Sequence, residues 1–184
     1  MFTFFFNRLY KEIIFFLSCI FFFLTILIFY FFDLNDIGFQ FITELFLFDT
    51  CILIGIDSIS ICFLFLTTFI IPLCFLFNWN TKNNLEEHKL FFNIFLLLEI
   101  LLILVFVVLD LVAFYLIFEF ILIPFYVIVI LNKISYYSRN VTNVNRKIHA
   151  FFLLFFYTIF GSLIMLFGII IIYINTGTTM IPLV

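Results

Sequence analysis

The sequence predicts an all-α polytopic membrane protein with about five transmembrane helices and a β-hairpin at the membrane surface between helices 1 and 2. Hydrophobic residues make up 67% of the 184 residues and charged residues only 10%, a composition far from that of soluble globular chains. Five apolar stretches are each about 20 residues long, which is the length that crosses a hydrocarbon core of roughly 30 Å. We expect residues 1–184 to form a single transmembrane domain.

The predicted helices span residues 13–32, 58–77, 90–109, 111–131 and 149–174. Arg8 and Lys11 precede the first stretch, but its apolar core is too long for a secretory signal and no small-residue cleavage site follows it. We therefore expect a membrane helix there. Residues 39–54 combine β-forming side chains with polar interruptions, which predicts the surface hairpin.

The basic residues predict the orientation of the chain. With the helices numbered in order, all eight lysines and arginines fall in loops on one side of the membrane, and the positive-inside rule makes that side the inner one. The 35 phenylalanines point to an AT-rich organellar genome, and we expect the N-terminus in the matrix or cytoplasm and the C-terminus on the outer side of the membrane. The basic residues near residue 140 serve either this orientation or contact with membrane lipids, for example cardiolipin, and both explanations stay open. They are Lys133, Arg139, Arg146 and Lys147.

Glu119 lies near the middle of the fourth apolar stretch, LVAFYLIFEFILIPFYVIVIL (111–131). A charged side chain at this depth costs about 2.5 to 3.5 kcal/mol on insertion scales, so such residues usually face a protein interior, a water chain or a counter-ion. Because every basic residue is expected in a loop, this chain supplies no cation at the depth of Glu119. We interpret Glu119 as a proton-transfer residue whose basic partner comes from elsewhere.

Glu99 is a second candidate for proton transfer. It lies eleven residues before Asp110, the expected outer turn, and Glu119 lies nine residues after that turn. At about 1.5 Å per residue, both acids lie near the membrane midplane. Two carboxyls that face each other at that level would share a proton. The alternative is that Glu99 is neutral and hydrogen-bonded to a neighbouring subunit.

Three further residues of the fourth helix bear on Glu119. Pro124 frees the carbonyl of Phe120, and a kink there would admit water, although proline kinks in membrane helices also serve packing alone. Tyr115 and Tyr126 share the helical face of Glu119, so their hydroxyls are candidate partners of its carboxyl.

Three segments of the sequence, in order, resemble one known family. They are GIDSISICFLFLTTFIIPLCFLFNW (55–79), LDLVAFYLIFEFILIPF (109–125) and RKIHAFFLLFFYTIFGSL (146–163), the last followed by NTGTT (175–179). Together they resemble the chain 4 family of antiporter-like, proton-pumping membrane subunits of respiratory complex I, the NADH:ubiquinone oxidoreductase. Chains 2 and 5 of that enzyme share the glutamate-bearing helix and are the nearest alternatives, but residues 55–79 favour chain 4.

The resemblance implies that Glu119 is the family's membrane glutamate, which pairs with a lysine on a later helix during proton transfer coupled to ubiquinone reduction. It also implies that a separate chain carries the remaining chain 4 helices and this lysine, so that the present sequence is an N-terminal fragment from a split gene. Asp57 and Asp110 match acidic positions near the outer surface, but for both a capping role is the simpler expectation than proton relay. For Asp57, the amide of Ile59 or Ser60 is the expected donor.

Other functions stay open at this stage. The chain either braces the membrane arm of complex I without conducting protons or is a free-standing ion exchanger. No haem, flavin or iron–sulfur ligand set is recognisable, and the four cysteines lack metal-binding spacing, so we predict no cofactor and no redox chemistry on this chain itself. NADH, flavin, iron–sulfur clusters and ubiquinone are then expected in partner subunits of the membrane-bound enzyme. Nothing in the sequence points to a nucleic-acid partner.

Overall fold

The computed structural model describes residues 2–33, 38–47, 50–79, 85–134 and 141–181. Within these ranges the chain forms five helices, which are α1 (Phe2–Phe31), α2 (Ser58–Phe77), α3 (Leu85–Val107), α4 (Leu111–Ile134) and α5 (Val141–Thr176). Two antiparallel strands, β1 (Gln40–Leu47) and β2 (Thr50–Ile56), lie between α1 and α2. The predicted fold class, with its hairpin, is confirmed.

Each of the five helices contains a segment long and apolar enough to cross a bilayer. These segments are Tyr10–Phe31, Ser58–Phe77, Lys89–Val107, Leu111–Val129 and Phe152–Thr176. Large apolar side chains such as Phe23, Phe77 and Phe160 are exposed on the helix surfaces, as expected where a helix faces lipid. The chain is a multi-pass membrane protein.

Several helix ends differ from the predicted ones. α1 begins at Phe2 rather than at residue 13, and α5 spans Val141–Thr176 rather than 149–174. Hydropathy marks only the part of a helix that crosses lipid, whereas backbone hydrogen bonding continues beyond it. As a result Lys11 lies within α1 and Lys89 within α3, and the expectation that every basic residue lies in a loop is wrong.

The helices pack in chain order around two buried cores. α1, α2 and α3 contact one another, α4 packs against α3, and α5 packs mainly against α4. One core joins the first four helices and contains Ile14, Ile71, Phe75, Phe91, Phe92 and Ile128. The other lies beside the hairpin and contains Phe32, Ile56, Ile61 and Leu64. Among the described residues, neither core contains a residue of α5, so the contact between α4 and α5 lies outside both cores.

The segment Val108–Asp110 joins α3 to α4 and is extended, so α3 ends at Val107 instead of at residue 109. Both edges of this segment are paired. The amide of Leu109 donates to the carbonyl of Leu53 in β2 at 2.9 Å, and the amide of Ile181 donates to the carbonyl of Leu109 at 2.8 Å. The hairpin and the residues that follow α5 thus meet at one junction.

Asp57 is the N-cap of α2, as predicted, but its amide donor differs from the expected ones. Its carboxylate accepts from the amide of Ser58 at 2.7 Å, not from that of Ile59 or Ser60. The extended backbone of Asp57, with φ −102° and ψ 164°, lets the short side chain reach the first amide of the helix.

Asp110 caps α4 from the junction. One carboxylate oxygen, Oδ2, accepts from the amide of Ala113 at 3.3 Å, which is the capping role expected for this residue. The other oxygen, Oδ1, is buried and has no hydrogen-bond partner within the described residues.

Candidate proton-transfer site

Glu119 lies where α4 contacts α5, and its side chain is half-buried. Two hydroxyl groups donate to the same carboxyl oxygen, Oε1. The Tyr115 hydroxyl lies 2.5 Å from it and the Ser162 hydroxyl 2.8 Å from it. Both donor side chains are themselves buried. The carboxyl is therefore held by one hydrogen bond within α4 and by another between α4 and α5.

Helix geometry explains both donors. Tyr115 precedes Glu119 by four residues, a spacing that places two side chains one above the other on the same helical face. Ser162 on α5 has a small side chain, and small residues let two membrane helices approach closely enough for a side-chain hydrogen bond. Ser162 Oγ also lies 2.9 Å from the carbonyl oxygen of Ile159, one turn earlier in α5.

The other predicted neighbours of Glu119 take different places. Within the described residues the two hydroxyls that donate to Glu119 belong to Tyr115, as expected, and to Ser162, and the hydroxyl of Tyr126 is not one of them. The ring of Tyr126 packs against that of Phe152 on α5, with centroids 6.1 Å apart. Pro124 is buried inside α4, which continues past it to Ile134.

Glu99 lies in α3 and is completely buried, with a relative exposure of 0%. Its Oε1 accepts a hydrogen bond from the Ser18 hydroxyl of α1 at 3.0 Å. Its Oε2 has no hydrogen-bond partner within the described residues. The chain itself thus supplies one hydrogen bond to Glu99, and a further bond from a neighbouring subunit stays a prediction.

The two acids do not form a shared carboxyl site. Glu99 faces Ser18 on α1, whereas Glu119 faces Ser162 on α5, and in the described parts of the chain no hydrogen bond joins the two carboxyls. Equal distance from the outer turn sets the depth of a side chain, but not its direction around the helix axis. The site consists of two separate carboxyls on neighbouring helices.

No lysine or arginine of the described residues forms an ion pair with either acid. Lys11 Nζ lies 3.5 Å from the carbonyl oxygen of Trp79, and Lys89 Nζ lies 5.9 Å from the ring centroid of Tyr10. The same described ranges contain no group of three His, Cys, Asp or Glu side chains placed to bind a metal ion. The groups that contact the two carboxyls are hydroxyls.

Sequence reasoning missed the serine partners of both acids. Ser18 and Ser162 are isolated hydroxyls in apolar membrane-spanning stretches, and such residues tend to face other helices, where they can form hydrogen bonds. A third case is Thr25 on α1, whose hydroxyl oxygen lies 2.9 Å from the hydroxyl oxygen of Thr68 on α2. Isolated hydroxyl residues in apolar stretches therefore indicate contacts between helices, but they do not show which acid each hydroxyl contacts.

Comparison with known proteins places the chain in a family. Residues 108–184 match the model described as NADH:quinone oxidoreductase/Mrp antiporter, TM. Over 149 residues the chain is 43% identical to NADH-ubiquinone oxidoreductase chain 4 of Mycosarcoma maydis, an alignment that covers 80% of this chain and 28% of the relative. It is 45% identical over 125 residues to the chain 4 protein of Triticum aestivum, covering 68% and 23%. It is 34% identical over 126 residues to NADH-quinone oxidoreductase subunit M of Rhodobacter capsulatus, covering 68% and 22%.

The chain belongs to the family of antiporter-like membrane subunits of NADH:quinone oxidoreductases. Within that family it is similar to the chain 4 proteins, as its sequence segments indicated. It spans between 22% and 28% of the length of these three curated relatives.

Proposed function

We propose that the chain is a membrane-arm subunit of mitochondrial NADH:ubiquinone oxidoreductase and that Glu119 takes part in proton translocation coupled to electron transfer from NADH to ubiquinone. The observation that carries this proposal is the placement of Glu119, a half-buried carboxyl in a membrane-spanning helix, held by two hydroxyls at the contact of α4 and α5. Ionisable residues at such depth usually mark an ion or proton pathway.

The proposed mechanism needs an ammonium group that approaches and leaves Glu119. At about 4 Å such a pair gains roughly 4 kcal/mol at an effective dielectric constant of about 20, and about half of that at twice the distance. Approach of the cation favours the ionised carboxylate and proton release, whereas separation favours proton uptake. The described residues place no cation beside Glu119. We propose, as the resemblance implies, that the lysine is on a separate chain that carries the remaining chain 4 helices.

Glu99 is the second proposed proton-transfer residue. Its complete burial and its unpartnered Oε2 support this role, since a carboxyl oxygen without a partner is open to a proton or a water molecule. The hydrogen bond from Ser18 supports the alternative in which Glu99 only joins α1 to α3.

The rest of the enzyme follows from this proposal. NADH, flavin, iron–sulfur clusters and ubiquinone bind to other subunits, and this chain contributes no redox group. The neighbours of the chain are other complex I membrane-arm subunits and membrane lipids. Anionic lipid such as cardiolipin is one candidate, through the basic residues near residue 140, which are Lys133, Arg139, Arg146 and Lys147 and whose side chains lie outside the described part of the structure. The second candidate function is a structural brace, which the two hydroxyl partners of Glu119 favour because they stabilise its carboxyl without a cation.

The substitution Glu119→Gln tests the proposal. The amide keeps the shape and an oxygen acceptor for the two hydroxyls but cannot exchange a proton, so the enzyme should assemble and translocate fewer protons per NADH oxidised. The measurement is the proton-to-NADH ratio in sealed membrane vesicles, with assembly checked on native gels. Thr158→Ala is the matched control, since the Thr158 hydroxyl bonds only to carbonyls of its own helix in the described chain. An unchanged ratio in the Glu119→Gln enzyme would favour the brace.

A further inference from the structure

Ser162 has one hydroxyl proton and two acceptors within reach. Its Oγ lies 2.8 Å from Glu119 Oε1 and 2.9 Å from the carbonyl oxygen of Ile159. A hydroxyl donates a single proton, so it bonds to one of these acceptors at a time. Ser162 is 3% exposed, and surrounding water is therefore a poor substitute for either acceptor.

The charge of Glu119 decides between the two acceptors. An ionised carboxylate is a stronger acceptor than a peptide carbonyl, and hydrogen bonds to charged groups are roughly twice as strong as neutral ones. A neutral carboxyl loses this advantage, because its oxygen then resembles the carbonyl of Ile159. The proton of Ser162 should therefore point to Glu119 when the acid is ionised and return to its own helix when the acid is neutral.

The two donors of Glu119 differ in what they join. Tyr115 is on the same helix as Glu119, so its hydrogen bond holds the carboxyl but does not connect helices. Ser162 is on α5, so its bond to Glu119 joins the membrane-spanning parts of α4 and α5, and its hydroxyl also interacts with that of Tyr115. The bonds from Tyr115 and Ser162 to Glu119 both fall on Oε1.

We propose that Ser162 is a positioning residue whose hydroxyl donates from α5 to Glu119 while this acid is ionised, and that protonation of the acid turns this donor back to the carbonyl of Ile159. The residue acts through Glu119 and needs no contact with the translocated proton. The role of Ser162 in proton pumping rests on the proposed function. The charge-dependent hydrogen bond between Ser162 and Glu119, called the link below, is a property of these two helices and is tested separately.

Labelling of Glu119 with a hydrophobic carbodiimide, which reacts with protonated carboxyls in apolar surroundings, tests the link in the assembled enzyme. Removing a hydrogen bond that favours the ionised form should increase the protonated fraction. We expect the labelling rate at neutral pH, read by mass spectrometry of the Glu119 peptide, to rise about tenfold in Ser162→Ala. Ser162→Thr, which keeps the hydroxyl, should label within about twofold of the unsubstituted enzyme.

Two results would overturn the proposal: an unchanged labelling rate in Ser162→Ala, or an equal rise in the control Thr158→Ala. Ser162→Cys, a weak donor of similar size, replaces Ser162→Ala if that enzyme does not assemble. The proton-to-NADH ratio of Glu119→Gln stays a separate measurement. If that ratio is unchanged while the labelling behaves as expected, the proposed function fails and the link stands.

Discussion

Glu99 has one oxygen bound by a serine hydroxyl and a second oxygen without a partner in the described chain, inside a completely buried site. Unpartnered buried polar atoms are uncommon, since each costs about 1–3 kcal/mol, and they call for an explanation such as a bound water or a catalytic role. Glu119 differs from Glu99 in burial and in the number of donors. Its side chain is half-buried, and two hydroxyls donate to one of its oxygens. At the scale of single residues, the two acids are therefore chemically distinct.

The substitution Glu99→Gln separates the two roles proposed for this residue. Glutamine still accepts from Ser18, so the contact between α1 and α3 should persist and the enzyme should assemble. If Glu99 carries protons, the proton-to-NADH ratio measured in sealed vesicles falls, because the amide cannot exchange a proton. Ser18→Ala is the comparison, since it removes the hydrogen bond and keeps the carboxyl. A full ratio in Glu99→Gln together with lower thermal stability in Ser18→Ala would assign Glu99 a structural role alone.

At the scale of elements, the α3–α4 junction depends on a glycine in β2. A Cβ atom added to Gly55 would lie 2.7 Å from Leu109 Cδ1, and Leu109 is only 4% exposed, so its side chain has little space into which to move. A Cβ atom at this close approach of β2 to Val108–Asp110 would therefore overpack against the Leu109 side chain. The hairpin is a packed part of the fold at this point.

We expect Gly55→Ala to destabilise the protein by about 1–3 kcal/mol, because overpacking forces the strand away from the junction. The measurement is the midpoint temperature at which the enzyme dissociates on heating in detergent, followed on native gels. Gly38→Ala is the matched control, since a Cβ atom there meets nothing within 4 Å. Equal midpoints for the two variants would contradict the tight fit, whereas partial recovery in Gly55→Ala with Leu109→Ala would support it.

At the scale of the whole molecule, the five helices run alternately across the membrane and place the two ends of α5 on opposite sides. His149 and Asn175 are exposed near these two ends. The positive-inside rule predicts that the end near His149 faces the matrix and the end near Asn175 the intermembrane space. The helices alone do not decide this direction, because reversing the whole molecule changes no internal contact.

Cysteine labelling tests the orientation. In mitochondria with a ruptured outer membrane and a sealed inner membrane, Asn175→Cys should react with a membrane-impermeant maleimide. His149→Cys should react only after the inner membrane is permeabilised, so each variant controls the other. The reverse pattern would overturn the predicted orientation.

The extent to which the sequence predicted the fold depends on the element. α2 spans Ser58–Phe77 as predicted, because Asp57 caps its beginning and the polar residue Asn78 caps its end. The hairpin was predicted from β-forming residues, but its contact with the junction was not, because that contact pairs residues far apart in the chain. The ends of α1 and α5 were wrong by several residues for a different reason, since helical hydrogen bonding does not stop where apolar side chains do.

The candidate site was predictable in part. Composition and an acidic residue in an apolar run were enough to select Glu119 and Glu99, because the cost of placing a carboxyl in lipid is a property of the residue and its depth alone. Tyr115 was predictable as well, since its spacing from Glu119 lies within one helix. Ser18 and Ser162 were not, because they reach the acids from other helices.

The sequence alone therefore determined the membrane class, the number of helices, the presence of the hairpin and the two acids at mid-depth, all of which follow from the polarity of residues along the chain. Only the tertiary structure decided that Glu99 faces α1 and Glu119 faces α5, and that the hairpin and the residues after α5 meet at one junction. The physical reason is that these features depend on the rotation of each helix about its axis and on its neighbours, which are set by packing between distant segments.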